Sequence, residues 1–234
     1  MQSIQPDMKP SLIHCREFPA FAADNLESVR LAFRGATPCS LRQAWLQKEE
    51  TDFAPAMVRV GWRSESLLIF AELTDVDVYN QATSLNQRIW ELGDTFEIFL
   101  RPVTQESYVE FHVSPNNQRL QLRFKDAGAL DHVRKTGSIE SVVVVGEAFR
   151  STTWVRPETQ QWFAYAEIPA SSVSDRSGPL NGCQWSFSFS RYDYTRGRKE
   201  PVISSTSGHA QPNFHRQHEW GMMNFCRGPQ MQAQ

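Results

Sequence analysis

The chain lacks a net positive charge and a long apolar run, and each absence excludes a class of function. Its 234 residues carry 24 Lys and Arg against 26 Asp and Glu, a formal net charge of −2. Binding to nucleic acid in general, or to an anionic membrane, needs a basic face, so the sequence predicts neither partner. No window approaches the ~20 apolar residues that a transmembrane helix needs.

Cysteine is also scarce and follows no pattern. Cys15, Cys39, Cys183 and Cys226 form no Cys-x-x-Cys pair, so neither a zinc knuckle nor a thioredoxin-type site is expected. The N-terminal stretch contains charged residues and prolines and no apolar segment, and no signal peptide is visible in it. Two localisations stay open: a cytoplasmic protein, or a secreted mature chain whose leader has been removed.

Residues 89–115 contain two runs that alternate between apolar and polar residues, separated by a short polar linker at 103–107. Alternation with period two predicts half-buried strands, and the short linker predicts an antiparallel hairpin. If the apolar set faces the core, Glu97, Glu110 and His112 share the opposite face. Trp90 lies in the loop before this hairpin. A large flat ring beside carboxylates on a rigid sheet indicates a binding surface.

Short strands separated by polar loops follow through the rest of the chain. In the clearest one, Trp185, Phe187 and Phe189 alternate with serines and are predicted to be core. No segment has the apolar period of a long helix. We predict a strand at 28–33, an irregular excursion at 127–138, sheet structure at 142–149, one helical turn at 169–174 and a short strand at 202–205. The fold class is all-β, an antiparallel two-sheet β-sandwich with long loops and few short helical turns. One domain is expected over residues 1–228, with a disordered tail at 229–234.

Five stretches in a fixed order add to this pattern. They are Val58-Arg-Val-Gly-Trp62 with Leu67 to Asp75, Trp90 to Leu100, Phe163 to Pro169, Trp185 to Asp193, and Asn213-Phe-His with Trp220 to Phe225. Together they span most of the chain and resemble the family-9 carbohydrate-binding modules and the wider group of DOMON-like sandwiches. The resemblance implies a jelly-roll-like sandwich without catalytic activity that holds a sugar, often at a chain end, between two aromatic rings.

The resemblance also implies roles for individual residues. Trp90 matches the first ring, and Phe214 lies in the loop that carries the second, where a phenyl ring offers less area than an indole. Glu97 matches a carboxylate that bonds sugar hydroxyls, and His112 lies where a basic residue is expected. Arg191 ends a strand and could reach either a ligand or an internal acid. The hypothesis is a non-catalytic protein that binds a mono- or oligosaccharide through these five residues.

Further expectations concern cofactors and alternative functions. No cofactor is expected; the family implies structural calcium, but the sequence does not identify its ligands, and a catalytic partner protein stays open. Glu97 and Glu110 are a candidate acid/base pair for glycoside cleavage. Some DOMON-like sandwiches bind haem, for which Met222, Met223, His112 and His215 are conceivable ligands. A loose cluster of His209, His215, His218 and Glu219 lacks the spacing of a zinc site. A structural interaction module is the remaining alternative.

Overall fold

The computed structural model describes residues 11–175 and 178–227, which form two β-sheets packed face to face. The all-β two-sheet prediction is confirmed. The predicted tail at 229–234 lies outside the described residues, and the single domain over 1–228 stays a prediction. The strands are β1 Leu12–Arg16, β2 Cys39–Ser40, β3 Ala56–Arg63, β4 Ser66–Thr74, β5 Thr95–Pro102, β6 Tyr108–Val113, β7 Arg119–Phe124, β8 Arg150–Arg156, β9 Gln161–Pro169, β10 Gln184–Asp193, β11 Val202–Ser205 and β12 Gly221–Cys226; the helices are α1 Leu26–Phe33 and α2 Ala127–Thr136.

The larger sheet has seven strands in the order β1-β12-β10-β5-β6-β7, with β11 paired to β10. The smaller sheet has five, in the order β2-β3-β4-β9-β8. Every described strand pair is antiparallel except β1 with β12, which is parallel. The predicted hairpin is β5–β6, and it places Glu97 directly opposite His112. Both strands have a neighbour on each side, which fixes their register.

The core between the sheets consists of the alternate apolar residues that the sequence pattern identifies. Trp185, Phe187 and Phe189 on β10 are at most 3% exposed, which confirms their predicted place in the core. They belong to one continuous cluster with Trp62 and Trp162 of the smaller sheet. Each fully buried ring contributes roughly 1.5–3 kcal/mol relative to an exposed one. The outer face of the larger sheet therefore carries Glu97 of β5, Glu110 and His112 of β6, and the alternate serines of β10.

Helix α1 lies where the sequence predicts a strand at 28–33, so that prediction is wrong. The Asn25 side chain accepts a hydrogen bond from the Ser28 backbone N–H at 2.9 Å and caps the helix N-terminus. Leu26, Val29 and Phe33 form one buried face, which packs on the outer face of the smaller sheet. A helix of 8 residues is too short for its apolar period to be distinguished from alternation.

Helix α2 replaces the irregular excursion predicted at 127–138. Asp126 accepts a hydrogen bond from the Ala129 backbone N–H at its N-terminus. Gly137, at φ 70°, ends the helix in the left-handed conformation, and its N–H bonds the Val133 carbonyl at 2.8 Å. No residue of α2 is fully buried, and only Ala129, Leu130 and Val133 pack against the outer face of the larger sheet, so the apolar stripe is too short to predict the helix from the sequence.

Residues 142–149 do not form the predicted sheet structure. They follow a 3-10 turn at Glu140–Val142 and touch the larger sheet through one isolated bridge, between Leu122 and Val143. Their apolar residues pack against the sheet without joining it, which explains the misleading pattern. The predicted strand at 202–205 and the helical turn at 169–174 are both present. Among the described residues, no helix has the length and apolar character to cross a membrane.

Candidate functional site

The outer face of the β5–β6 hairpin carries a buried polar group at its centre. Glu97 on β5 pairs across the sheet with His112 on β6, and Glu110 lies two residues before His112 on the same face. The three residues are only 3%, 1% and 5% exposed, respectively. Surrounding loops and α2 cover this face with a second apolar cluster that includes Trp90 and Phe214. Polar groups at this depth need partners, because an unpaired buried polar group is costly.

His112 joins the two carboxylates. Its Nε2–H donates to Glu110 Oε1 at 2.6 Å, and its Nδ1 lies 3.4 Å from Glu97 Oε1 without the geometry of a hydrogen bond. The other oxygen of Glu110, Oε2, is 3.8 Å from His215 Nε2, and His215 Nδ1 is 3.0 Å from the Tyr108 hydroxyl. Glu110 Oε2 is buried and has no hydrogen-bond partner among the described residues. Its free lone pairs are therefore available to a ligand.

Burial and mutual attraction together set the charges of this group. Burial raises the pKa of Glu97 to about 8, an effect that His112 opposes and Glu110 reinforces. Burial disfavours the charged form of His112, but Glu97 and Glu110 outweigh it and raise the pKa of His112. Burial also opposes ionisation of Glu110, yet His215 and the His112 hydrogen bond hold the pKa of Glu110 below its usual range. Near neutral pH these shifts keep Glu110 ionised, favour the charged form of His112 and favour the protonated form of Glu97.

Trp90 and Phe214 are on the walls of a pocket above this polar group. The pocket has a volume of about 390 Å³. Trp90 is half-buried, with its ring centroid 5.3 Å from that of His112. Phe214 is 5% exposed, and its backbone carbonyl accepts a hydrogen bond from Trp220 Nε1 at 2.7 Å. The lining residues are Arg88, Trp90, Glu97, Phe99, Glu110, Leu122, Phe124, Leu130, Val133, Arg134, Ile139, Tyr192, Pro212, Asn213, Phe214 and His215.

The loop that carries Trp90 is held in place on several sides. The Tyr194 hydroxyl donates to the Trp90 carbonyl at 2.7 Å, and the Asn80 side chain donates to the Ile89 carbonyl at 2.9 Å. Gly93 follows at φ 141°, and a Cβ atom there would lie 2.4 Å from the Tyr79 carbonyl oxygen. Only glycine fits this close approach of two backbones. Trp90 is therefore presented by a rigid turn before the hairpin.

The structure brings together four of the five residues that the sequence nominates. Trp90, Glu97 and Phe214 line the pocket, and His112 lies directly beneath it between the two carboxylates. Arg191 is not part of this group. It is fully buried, and its partner across the sheet is Phe96, whose side chain lies in the core between the sheets. We do not include Arg191 in the site, because it faces the opposite side of the larger sheet.

Arg191 reaches internal acids instead. Its Nη2 is 3.1 Å from Asp75 and 3.0 Å from Asp193. With Asp94, these aspartates offer oxygens within 4.8 Å of one another, and oxygen donors are what calcium prefers. However, both Asp94 oxygens accept backbone N–H bonds, and the Arg191 guanidinium supplies the positive charge. The cluster does not fit the calcium that the resemblance implies, and we assign no ion to it.

Glu97, Glu110 and His112 are the other described group that could hold a metal ion, with atoms within 4.8 Å of one another. The His112 ring already hydrogen-bonds Glu110 in that space. The loose cluster near the C-terminus does not converge: Glu219 binds His209 and Arg216, while His215 joins the pocket. Met223 belongs to the core between the sheets, on the opposite face from His112, so these two cannot share a haem iron.

Sequence reasoning missed several residues of the pocket. Tyr108 does not line the pocket itself, but its hydroxyl lies 3.0 Å from Nδ1 of the lining residue His215; it has the same alternation as Glu110 and His112, so the period-two pattern could have identified it. Arg134 lies on α2, and the failure to predict that helix concealed it. Tyr192 is on the outer face of β10, where it lies in the same apolar cluster as Phe214. Of these, only Tyr108 carried a signal specific enough to use.

The protein is similar in fold to several solved structures. No family model matches the sequence, and no curated protein matches it. Among solved structures, a Bacteroides uniformis protein to which carbohydrate binding has been attributed aligns with TM-score 0.70 and 16% identity, over 93% of this chain and 100% of that one. A family-9 carbohydrate-binding module from Caldicellulosiruptor kristjanssonii with cellotriose aligns with TM-score 0.64 and 14% identity, over 96% and 98%. The glucose-bound module from the same organism aligns with TM-score 0.62 and 13% identity, over 94% of this chain and 98% of that one. The chain therefore has the fold of the family-9 carbohydrate-binding modules.

Proposed function

We propose that this protein binds a carbohydrate, without cleaving it, in the pocket between Trp90 and Phe214. The observation that carries this proposal is the buried Glu110 Oε2, which lies on the pocket side of the hairpin and has no hydrogen-bond partner among the described residues. A carboxylate oxygen left free beside aromatic rings matches a ligand that offers both hydroxyls and an apolar face. Sugars have this combination, because their rings expose C–H faces between equatorial hydroxyls.

The shape and chemistry of the pocket support the same proposal. A volume of about 390 Å³ lies at the small end of the range of ~300–1,000 Å³ typical of ligand sites, which favours one or two sugar units at a chain end. The lining includes the indole ring of Trp90 and the phenyl ring of Phe214. The solved structures of similar fold include modules with cellotriose and with glucose, which makes glucose-type sugars the first to test.

A non-catalytic role is favoured by the position of His112. In glycosidases that retain configuration, two carboxyl groups ~5–5.5 Å apart hold the anomeric carbon between them. Here the His112 ring fills the space between Glu97 and Glu110 and contacts both. The His112 ring and a sugar ring do not fit in the same space, and this arrangement favours hydroxyl binding by the two carboxylates over action from opposite sides of a glycosidic bond.

One observation favours glycoside cleavage as a second candidate. The pKa of Glu97 is raised to about 8 while that of Glu110 is lowered, and such divergence is typical of an acid and a base. Turnover of aryl glycosides separates the candidates. Hydrolysis that is lost in Glu97→Gln would replace the binding proposal with an enzymatic one.

The test of binding is a titration with glucose, cellobiose and other small sugars, followed by tryptophan fluorescence and by calorimetry. Trp90→Ala should abolish saturable quenching and weaken binding at least ~10-fold, since aromatic stacking is lost. Trp154→Ala is the matched control, because Trp154 is on β8 of the other sheet and packs away from the pocket. If Trp90→Ala binds every sugar as tightly as the unmodified protein, the proposed site is wrong.

A further inference from the structure

The mouth of the pocket is basic, although the chain as a whole is slightly acidic. Two arginines line the pocket, and they come from separate elements. Arg88 directly precedes the turn that carries Trp90, and Arg134 is in the last turn of α2. The guanidinium of Arg88 lies 5.1 Å from the Trp90 ring and is already paired with Glu91 at 2.9 Å. Its charge is therefore largely compensated.

Arg134 is different, because it pairs with no carboxylate among the described residues. Its one described polar contact is a hydrogen bond from Nη2 to the Asn213 side-chain oxygen at 3.2 Å, and Asn213 also lines the pocket. Its charge acts on two groups nearby: it opposes the rise that burial and Glu110 cause in the pKa of Tyr108, and it adds to the lowering that burial causes in the pKa of His215. The guanidinium of Arg134 therefore lines the pocket without a paired carboxylate, and several of its N–H donors have no partner among the described residues.

The floor of the pocket does not supply the missing negative charge. Glu110 carries one negative charge at neutral pH, but it is hydrogen-bonded to His112, whose raised pKa favours the positive form, and the pKa of about 8 favours the protonated form of Glu97. The polar group is therefore close to neutral, and the walls contribute a net positive charge through Arg134. A ligand that places an anionic group beside Arg134 would complete the charge balance of the pocket.

We propose that the pocket selects sugars bearing an acidic group, a carboxylate or a sulfate ester, with Arg134 as the specificity-determining residue. This inference rests on the proposed carbohydrate function and adds the class of ligand. The planar guanidinium donates two parallel N–H bonds to either oxyanion, while the neutral hydroxyls of the same sugar are left to Glu110 and the ring face to Trp90.

The test compares four ligands of nearly equal shape by calorimetry with the full chain: methyl glucoside, methyl glucuronide, the methyl ester of that glucuronide, and glucose 6-sulfate. At ~20 mM NaCl, one of the two anionic ligands should bind about 5- to 10-fold more tightly than the neutral ones, and the preference should shrink at ~500 mM NaCl. The better of the two anions identifies the acidic group.

Arg134→Gln should remove this preference, which is measured as the ratio of the affinities for charged and neutral ligands within each variant. Lys135→Gln removes the adjacent exposed charge, which does not line the pocket, and should leave that ratio unchanged. Equal affinity for charged and neutral ligands, or a preference that survives Arg134→Gln, would overturn the inference while carbohydrate binding stands. Binding of none of the four ligands, nor of any sugar in the wider panel, would remove the proposed function itself.

Discussion

Replacing Glu110 with glutamine tests whether the free carboxylate oxygen of this residue binds the ligand. Glu110→Gln keeps the size of the side chain and removes the negative charge from the free oxygen. A hydrogen bond between a ligand hydroxyl and an ionised carboxylate contributes about 1.5–3 kcal/mol, roughly twice a neutral one. Glutamine keeps an amide oxygen as a neutral acceptor, so the expected loss is the difference, about 0.7–1.5 kcal/mol. Because each ~1.4 kcal/mol is a factor of ten in affinity, the dissociation constant should rise about 3- to 13-fold.

The assay is a calorimetric titration with the sugar that the unmodified protein binds best, with urea unfolding of the same samples as a check of the fold. Glu106→Gln is the matched control, because Glu106 is exposed in the linker of the same hairpin. Glu110→Asp keeps the charge on a shorter side chain and should recover part of the affinity. A folded Glu110→Gln variant whose affinity stays within about twofold would refute the assignment of its free oxygen to a ligand.

Further predictions concern stability. Arg191→Met leaves Asp75 and Asp193 without their cation and should lower the free energy of unfolding in urea by about 3–5 kcal/mol. The control is Arg63→Met, which removes a partly exposed pair with Glu167 at 3.7 Å and should cost ~0–1 kcal/mol. Equal losses would contradict the importance of the buried pair. The pKa of Glu97 is about 8 in the fold and lower when unfolded, so its stabilising proton is fully present below about pH 4.5 and is lost as pH rises to about 8. We therefore expect the free energy of unfolding of the unmodified protein, relative to that of Glu97→Gln, to fall between about pH 5 and pH 8, by at most ~1.4 kcal/mol per pH unit. If urea unfolding shows the same difference between the two proteins at every pH, the pKa of Glu97 is not raised. Gly93→Ala should lower the free energy of unfolding by more than ~3 kcal/mol, because the added Cβ would collide with the Tyr79 backbone. Gly137→Ala should cost only ~1 kcal/mol, because no atom lies within 4 Å of its added Cβ. Similar melting temperatures for the two variants would argue against the close approach at Gly93.

The parts of the fold that could be predicted are those in which one side of a strand is buried. Alternation placed Glu97 and His112 on one face and Phe187 and Phe189 on the other, because a shift of one residue would expose the whole apolar set. The same pattern puts Arg191 on the inner face, beside Phe189. A charged side chain in a core is expected only with partners, and the sequence did not show that Asp75 lies within reach.

The elements that escaped prediction are those in which local signals are weak. Helix α2 buries none of its residues, so only Asp126 and Gly137 at its ends indicate it. Residues 142–149 look like a strand because apolar residues cover the sheet there without pairing with it. Arg134 lies on α2, so its place in the pocket wall could not be deduced before that helix was known.

The parallel pairing of β1 with β12 has a consequence for how the protein is made. Leu12 is registered with Met222, and Arg16 with Cys226, so the first described strand has its sheet partner in the last. Trp62 Nε1 also donates to the Cys226 carbonyl at 3.1 Å, which ties the smaller sheet to the same late strand. During synthesis, β1 has no partner strand until β12 has left the ribosome. Sheet closure is therefore the latest and least local step of folding, and a chain interrupted before β12 would expose the aromatic edge of β10 to aggregation.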